Sequence, residues 1–253
     1  MLTNFFPVEL SRTIRDTFNS VPCPPVMLRI LPAPGDIDPG FLCKSELVQL
    51  GKYKLPKRRS EYLTGRLCAK MAAADYIQSS LHTRFAMEQI EILNRGHGRP
   101  FILFHPTPSF ATPNISISHS GDYAAALAAQ HRCGIDIQKH EKGLIKVKEK
   151  YCTIQEYNIL SEIIKNGDEL LQLALLWAAK EAIQKTFSTK NGVPVFSNIC
   201  LQKGEEKDDG GVVLFFSLAP GQGRQKSKII VVAAATFTNY AVAVSMLEET
   251  SDA

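Results

Sequence analysis

The chain has no run of 18 or more apolar residues, and this excludes a membrane-spanning helix read from sequence. The N-terminal Met1-Leu2-Thr3-Asn4-Phe5-Phe6-Pro7 lacks a basic segment, and Pro7 and Glu9 interrupt its apolar stretch, so no secretory signal is expected. Cysteine is sparse: the six residues (23, 43, 68, 133, 152 and 200) are scattered, without a C-x-x-C pair or clustered histidines. Neither a zinc ribbon nor a disulfide framework is encoded, and reduced thiols in a cytoplasmic protein are expected. Glycine and proline, at 16 and 14, are too few for a collagen-like or linker-dominated chain. There is little excess charge: 29 Lys plus Arg against 25 Asp plus Glu leave +4. The basic segments carry no interleaved aromatics, so no nucleic-acid partner is expected, whereas phosphate-bearing or acidic partners suit the balance.

What is present is 253 residues with 45% hydrophobic content, enough for one large core or two smaller ones. Residues 8–18 suit a short amphipathic helix before the Pro22, Pro24, Pro25 cluster, and 26–31 alternate like a strand. A basic stretch holding Lys52, Lys54, Lys57, Arg58 and Arg59 leads into a helical period at Leu63, Leu67, Met71, Ala74 and Ile77. Strands are predicted at 90–93, 114–118 and 123–129, the last two joined by a Gly121-Asp122 turn, and the 95–100 segment reads as a loop. Thr153-x-x-Glu156 is a capping box for a helix to about residue 165, and Asp168 caps a longer one to about residue 188. Strands at 196–201, 212–218, 228–236 and 240–247 follow, with 203–211 expected as an exposed loop.

Residues 231–243 superpose on 114–126 at a constant offset, 231 − 114 = 117: a strand, a short turn, then Tyr-Ala-x-Ala. An offset near half the chain length favours two related α+β halves over two unrelated hairpins. The expected fold is therefore α+β, a pseudo-twofold duplication in which helices pack on a small antiparallel sheet in each half. The halves are expected at 1–131 and 132–253, with the active site at their interface.

Polar residues in apolar strands point to the chemistry. In Gly134-Ile135-Asp136-Ile137-Gln138 the period of two separates the isoleucines from Asp136 and Gln138. Such a carboxylate is costly unless solvated, paired or metal-bound, and a solvated edge strand explains this segment alone equally well. On the helix at 168–188, Trp177, Glu181 and Lys185 fall at i, i+4 and i+8 along one side, with Lys180 and Gln184 flanking. Glu181 and Lys185 are either a surface ion pair or a hard oxygen ligand beside a phosphate-neutralising ammonium. Paired carboxylates such as Asp136 and Glu181 suit Mg²⁺, which completes its shell with waters and substrate phosphates. His119 reads either as a core histidine on the Ile115 and Ile117 face or as a ligand.

Three motifs, Asn114-Ile115-Ser116-Ile117-Ser118-His119-Ser120, Gly134-Ile135-Asp136-Ile137 and Trp177-Ala178-Ala179-Lys180-Glu181-Ala182-Ile183-Gln184-Lys185, resemble in order and spacing the signatures of the Sfp-type 4′-phosphopantetheinyl transferases. Arg58-Arg59-x-Glu61-Tyr62-Leu63-x-Gly65-Arg66-x-x-Ala69-Lys70 and Gly98-Arg99-Pro100 resemble the family's early helix and Gly-basic-Pro loop. The resemblance covers residues 58–185. It implies a holo-[acyl-carrier-protein] synthase or related transferase, which moves phosphopantetheine from coenzyme A to a serine of an apo acyl, peptidyl or aryl carrier protein and releases 3′,5′-ADP.

By the same resemblance Asp136 and Glu181 hold Mg²⁺ on the pyrophosphate, with Gln138 at the position of a usual third acidic ligand. An uncharged amide there implies either water in that place or a weaker site. Lys185 neutralises the leaving group and Lys180 assists at the pyrophosphate. His119, with Ser118 beside it, bonds a coenzyme phosphate, and Arg58 and Arg66 grip the 3′-phosphate. His97, in a Gly-flanked loop, reads either as a coenzyme contact or as an exposed loop histidine. Asp136, Glu181 and Lys185 are the expected catalytic set, Glu181 or a water it orients being the candidate base. Lys146, Lys148 and Lys150 form either a solvated face or a surface for an acidic carrier. A monomer is expected. The alternative is a noncatalytic coenzyme A or carrier-protein binding module of the same fold, which Gln138 alone favours. The pathway, whether fatty-acid, polyketide, peptide or siderophore synthesis, is left open.

Overall fold

The computed structural model describes residues 8–18, 27–33, 37–165, 168–189, 192–208, 210–219 and 228–247. The Pro22, Pro24, Pro25 cluster lies outside them. The chain divides into two compact units, one holding the described residues between 27 and 133, the other holding 8–18 and those between 134 and 247.

In the first unit β1 (Met27–Pro32) is followed by α2 (Lys44–Leu50), α3 (Pro56–Leu81), β2 (Ile90–Asn94), β3 (Pro100–Phe104), β4 (Asn114–Ser120) and β5 (Tyr123–Ala129). The strands form a sheet in the order β1-β5-β4 and a β2-β3 hairpin, all pairs antiparallel. α3 starts with Pro56 in its first turn, a position where the missing N–H costs nothing, so the helix begins about two turns before Leu63, where its apolar period opens. Its buried face is built of small residues, Cys68, Ala69, Ala72 and Ala73, with Ile77, all fully buried. Small side chains let the helix approach the alanine-rich β5, and the shared core extends to Ile90, Ile92, Ile102 and Phe104.

In the second unit β6 (Cys133–Lys139) leads to α4 (Gly143–Lys146), α5 (Ile154–Ile163), α6 (Glu169–Phe187), β7 (Ile199–Glu206), β8 (Val212–Leu218), β9 (Lys228–Phe237) and β10 (Tyr240–Met246). These strands make one sheet in the order β6-β10-β9-β8-β7. α6 packs on β10 and β9, α5 on β7, and α1 (Val8–Phe18) on β9 and β8. Both predicted caps form: Thr153 and Glu156 make the capping box of α5, and Asp168 Oδ1 accepts from the Leu171 N–H at the start of α6. One expectation fails. The segment after Leu201 is not a loop, because β7 continues to Glu206, pairing Lys203 with Phe215 after a register shift. β7 is an edge strand, so both of its faces tolerate polar residues there.

The duplication is complete in outline. A strand, two longer helices and then four strands occur in the same chain order in each unit, the second adding the one-turn α4, and β1-β5-β4 corresponds to β6-β10-β9. Ser120 pairs with Tyr123 as Phe237 pairs with Tyr240, 117 positions later, and the residue opening each turn has positive φ: Gly121 at 54° and Thr238 at 49°. Glycine adopts this region freely, whereas β-branched Thr238 does so at a cost of about 1 kcal/mol or more. Thr238→Gly is therefore expected to raise the melting temperature by about 2–4 °C in calorimetry.

Candidate functional site

The second unit gathers Asp136, Glu181 and Lys185. β6 is an edge strand, yet Asp136 is only 6% exposed. Its neighbour Gly134 explains how close the strand lies to α6: a Cβ built there would stand 2.0 Å from the Ala182 carbonyl oxygen and 2.6 Å from Thr186 Oγ1. That approach lets Lys185 Nζ donate to Asp136 Oδ1 at 2.8 Å and to the Ile135 carbonyl at 2.9 Å. Glu181 lies one helical turn before Lys185. Its carboxyl is pushed above the ordinary range, first by burial and then by the charge of Asp136, against which Lys185 acts.

A carboxyl whose proton affinity is raised by the charge of Asp136, with an ammonium already drawn in, belongs to a donor set that a divalent cation relieves. Gln138 is half-buried and its Nε2 donates to the Lys139 carbonyl at 2.9 Å. Among the described residues no group of three or more His, Cys, Asp or Glu is placed to hold a metal. The set is thus at most two carboxylates and an amide oxygen, which fits Mg²⁺ with waters and phosphate oxygens filling the remaining positions.

Lys180 corrects an expectation. It is 2% exposed, and its ammonium pairs with Glu156 Oε1 at 2.7 Å and donates to the Tyr151 carbonyl at 2.7 Å. One residue along a helix turns a side chain by about 100°, so the neighbour of Glu181 points inward while Glu181 does not. Trp177 meets Tyr151 and Phe196 edge-on and is a packing residue. Of the three lysines after β6, Lys148 is paired with Glu169 at 2.8 Å and lies over the Tyr157 ring, while Lys146 and Lys150 are exposed.

The first unit holds a cavity of about 260 Å³ lined by Tyr53, Arg58, Glu61, Tyr62, Arg66, Asn94, Gly98, Pro100, Ile117 and His119. Arg58, Arg66 and His119 are thus brought together on one wall system. His119 is exposed although β4 continues past it, so it is not a core histidine. Ser118 points to the opposite face of β4, where it is buried, and His97 is exposed in the 95–98 turn without lining the cavity. Neither lines the cavity that holds Arg58 and Arg66.

Sequence reasoning overlooked Glu61, which accepts from Arg58 at 2.9 Å, and Asn94, which accepts from Arg66 Nη2 at 3.5 Å. The R-x-x-E spacing on one helix face was the available signal for the first; nothing in sequence pointed to the second. Arg99, half-buried, is also new: burial and then the nearby Arg132 and Arg95 push its guanidinium pKa down.

A sequence model of the 4′-phosphopantetheinyl transferase superfamily matches residues 132–244, the stretch that carries Asp136, Glu181 and Lys185. The holo-[acyl-carrier-protein] synthase of Geobacillus kaustophilus is 36% identical over 94 residues, which are 37% of this chain and 70% of that protein. The chain belongs to the 4′-phosphopantetheinyl transferase superfamily. A second superfamily relative, the holo-[acyl-carrier-protein] synthase of Ligilactobacillus salivarius, is 39% identical over 84 residues, 33% of this chain and 62% of its own. The L-aminoadipate-semialdehyde dehydrogenase-phosphopantetheinyl transferase of Xenopus laevis is 23% identical over 155 residues, 58% of this chain and 49% of that protein. The chain therefore spans less than two thirds of the length of some of these relatives. Among solved structures, a holo-(acyl-carrier-protein) synthase of Bacillus anthracis in complex with CoA (3′,5′-ADP) aligns with TM-score 0.34 and 21% identity, covering 42% of this chain and 94% of that one.

Proposed function

We propose that the chain transfers 4′-phosphopantetheine from coenzyme A to a serine hydroxyl of an apo carrier protein in a Mg²⁺-dependent reaction that releases 3′,5′-ADP. The observation that carries this reading is the Asp136, Lys185 and Glu181 constellation within the stretch that matches the superfamily.

In this reading Asp136 and Glu181 hold the ion, with Gln138 contributing at most a neutral oxygen. The ion supplies charge stabilisation on the pyrophosphate oxygens. The serine oxygen forms a bond to the β-phosphorus as the bond from that phosphorus to the bridging oxygen breaks, and the electron pair leaves on 3′,5′-ADP. Lys185, steered by Asp136 and the Ile135 carbonyl, donates to the leaving phosphate. The serine proton passes to Glu181, directly or through one water. In the first unit, Arg58 and Arg66 hold the coenzyme 3′-phosphate, His119 bonds a phosphate, and Glu61 restrains Arg58. The thiols of Cys43, Cys68, Cys133, Cys152 and Cys200 are unpaired, which suits action in the cytoplasm, and no described helix is long and apolar enough to cross a membrane.

The test is incubation of the chain with coenzyme A, Mg²⁺ and a panel of apo carrier proteins, read by intact mass. A phosphopantetheine mass gain on at least one carrier, lost when Mg²⁺ is chelated, is expected. No gain on any carrier overturns the reading.

A further inference from the structure

Each unit contains a buried carboxylate and ammonium at corresponding places. Glu46 pairs with Lys70 at 2.7 Å and Glu156 with Lys180 at 2.7 Å, and both displacements, 156 − 46 and 180 − 70, are 110 residues. The surroundings match as well. Glu46 accepts from the Cys43 and Ile92 N–H groups at 2.9 and 3.1 Å, and Glu156 accepts from those of Thr153 and Leu201, both at 2.9 Å. Lys70 donates to the carbonyls of Phe41 and Met87, and Lys180 to that of Tyr151. In both units the pair ties a short helix start to the long helix and to the next strand.

The two copies differ in one charge. Arg66 Nε lies 3.9 Å from Glu46 Oε1, whereas 110 positions later stands Leu176, fully buried. One carboxylate thus faces two cations in the first unit and one in the second. Arg66 is 8% exposed, stacks 4.8 Å over the Tyr62 ring, and its buried Nε has no hydrogen-bond partner. A buried cation in excess is costly until an anion meets it. The duplication shows that the pin itself needs no such third charge, because the second unit keeps its pin without one.

We infer that Glu46, clamped by Lys70, is the positioning residue of Arg66, and that the guanidinium held in this place discriminates coenzyme A from its analogue lacking the 3′-phosphate. This rests on the coenzyme reading of the cavity above. Glu46 does not touch the ligand; it fixes the guanidinium from behind while Tyr62 and Asn94 hold its face and edge.

The experiment measures calorimetric affinity for coenzyme A and for dephospho-coenzyme A, with KM and kcat for transfer, in wild type, Glu46→Gln and the double variant Glu46→Leu/Lys70→Met. The double variant removes both charges of the pair and so avoids stranding a buried ammonium. Melting curves establish which variants are folded. The expected result is that the preference for coenzyme A falls about tenfold, a loss of about 1.4 kcal/mol. Affinity for dephospho-coenzyme A should change less than about twofold, and KM for coenzyme A should rise with kcat held. Glu156→Leu/Lys180→Met, the same lesion in the second unit, should leave the preference as in wild type. A folded Glu46 variant with wild-type preference, or an equal loss of preference from the second-unit variant, overturns the inference. Wild type that binds both ligands equally overturns the inference but leaves the coenzyme reading standing. Wild type that binds neither overturns the coenzyme reading and the inference with it.

Discussion

Glu181→Gln is expected to abolish transfer and at the same time to make the metal-free protein more stable at neutral pH. The two effects have one origin. Burial and the charge of Asp136 raise the Glu181 carboxyl above its ordinary value in the folded chain. A carboxyl with a raised folded pKa binds more protons folded than unfolded, so stability falls as pH rises through that pKa. Its favourable share is fully present below about pH 4.5, the unfolded value, and is lost at neutral pH. Glutamine is close to the same size and carries no charge to desolvate or repel. The melting temperature of Glu181→Gln should therefore exceed that of wild type at pH 7.5 in chelator, and the difference should shrink as pH falls toward 4.5. Added Mg²⁺ should stabilise wild type and not the variant, since a cation that binds only the folded chain adds stability by mass action. Transfer should fall at least about a thousandfold, which is about 4 kcal/mol of transition-state stabilisation. Equal melting temperatures at pH 7.5 would count against the repulsion, and a Mg²⁺ shift retained by the variant would count against Glu181 as a ligand.

The helix that carries Glu181 was legible because its pattern is strong: Asp168 caps it, Leu171, Ala174, Leu175, Ala178 and Ala182 mark its buried side, and Glu181 and Lys185 stand four apart. Lys180 was misjudged because a lysine between Ala179 and Glu181 gives no sign of a buried partner. That partner, Glu156, comes from the capping box 24 residues earlier (180 − 156), and only the fold unites them. The echo of this device was in the sequence all along. Cys43-x-x-Glu46 repeats Thr153-x-x-Glu156, but Cys43 makes no side-chain cap, so α2 lacked the usual residue type that betrays a helix start. β3 went unread because Pro100 opens it, and proline argues against a strand unless it stands first, as it does here. The first-unit cavity was legible only in its charged residues. Tyr53 and Asn94 reach it through tertiary packing, Asn94 from the end of β2.

Gly134→Ala is expected to be among the most damaging single-methyl additions in the chain. The new Cβ would stand 2.0 Å from a backbone oxygen of α6, 2.6 Å from the Thr186 hydroxyl and 2.8 Å from the Thr186 nitrogen. A rotamer change could move the hydroxyl, but Thr186 Oγ1 is held between the carbonyls of Ala182 and Ser245 at 2.9 and 3.1 Å, and the backbone atoms have no such freedom. Relief requires β6 and α6 to separate. Overpacking of this kind costs about 3 kcal/mol or more, so the melting temperature should drop by roughly 6–12 °C in a chain of this size. Separation also breaks the geometry that lets Lys185 reach both Asp136 and the Ile135 carbonyl, bonds of 2.8 and 2.9 Å that survive little displacement. Transfer by the fraction that remains folded at 20 °C should fall at least about tenfold, with the loss read in kcat. Wild-type melting behaviour in Gly134→Ala would show that β6 has slack the structure does not display. Loss of stability with kcat intact would show that Asp136 and Lys185 act independently of their mutual contact.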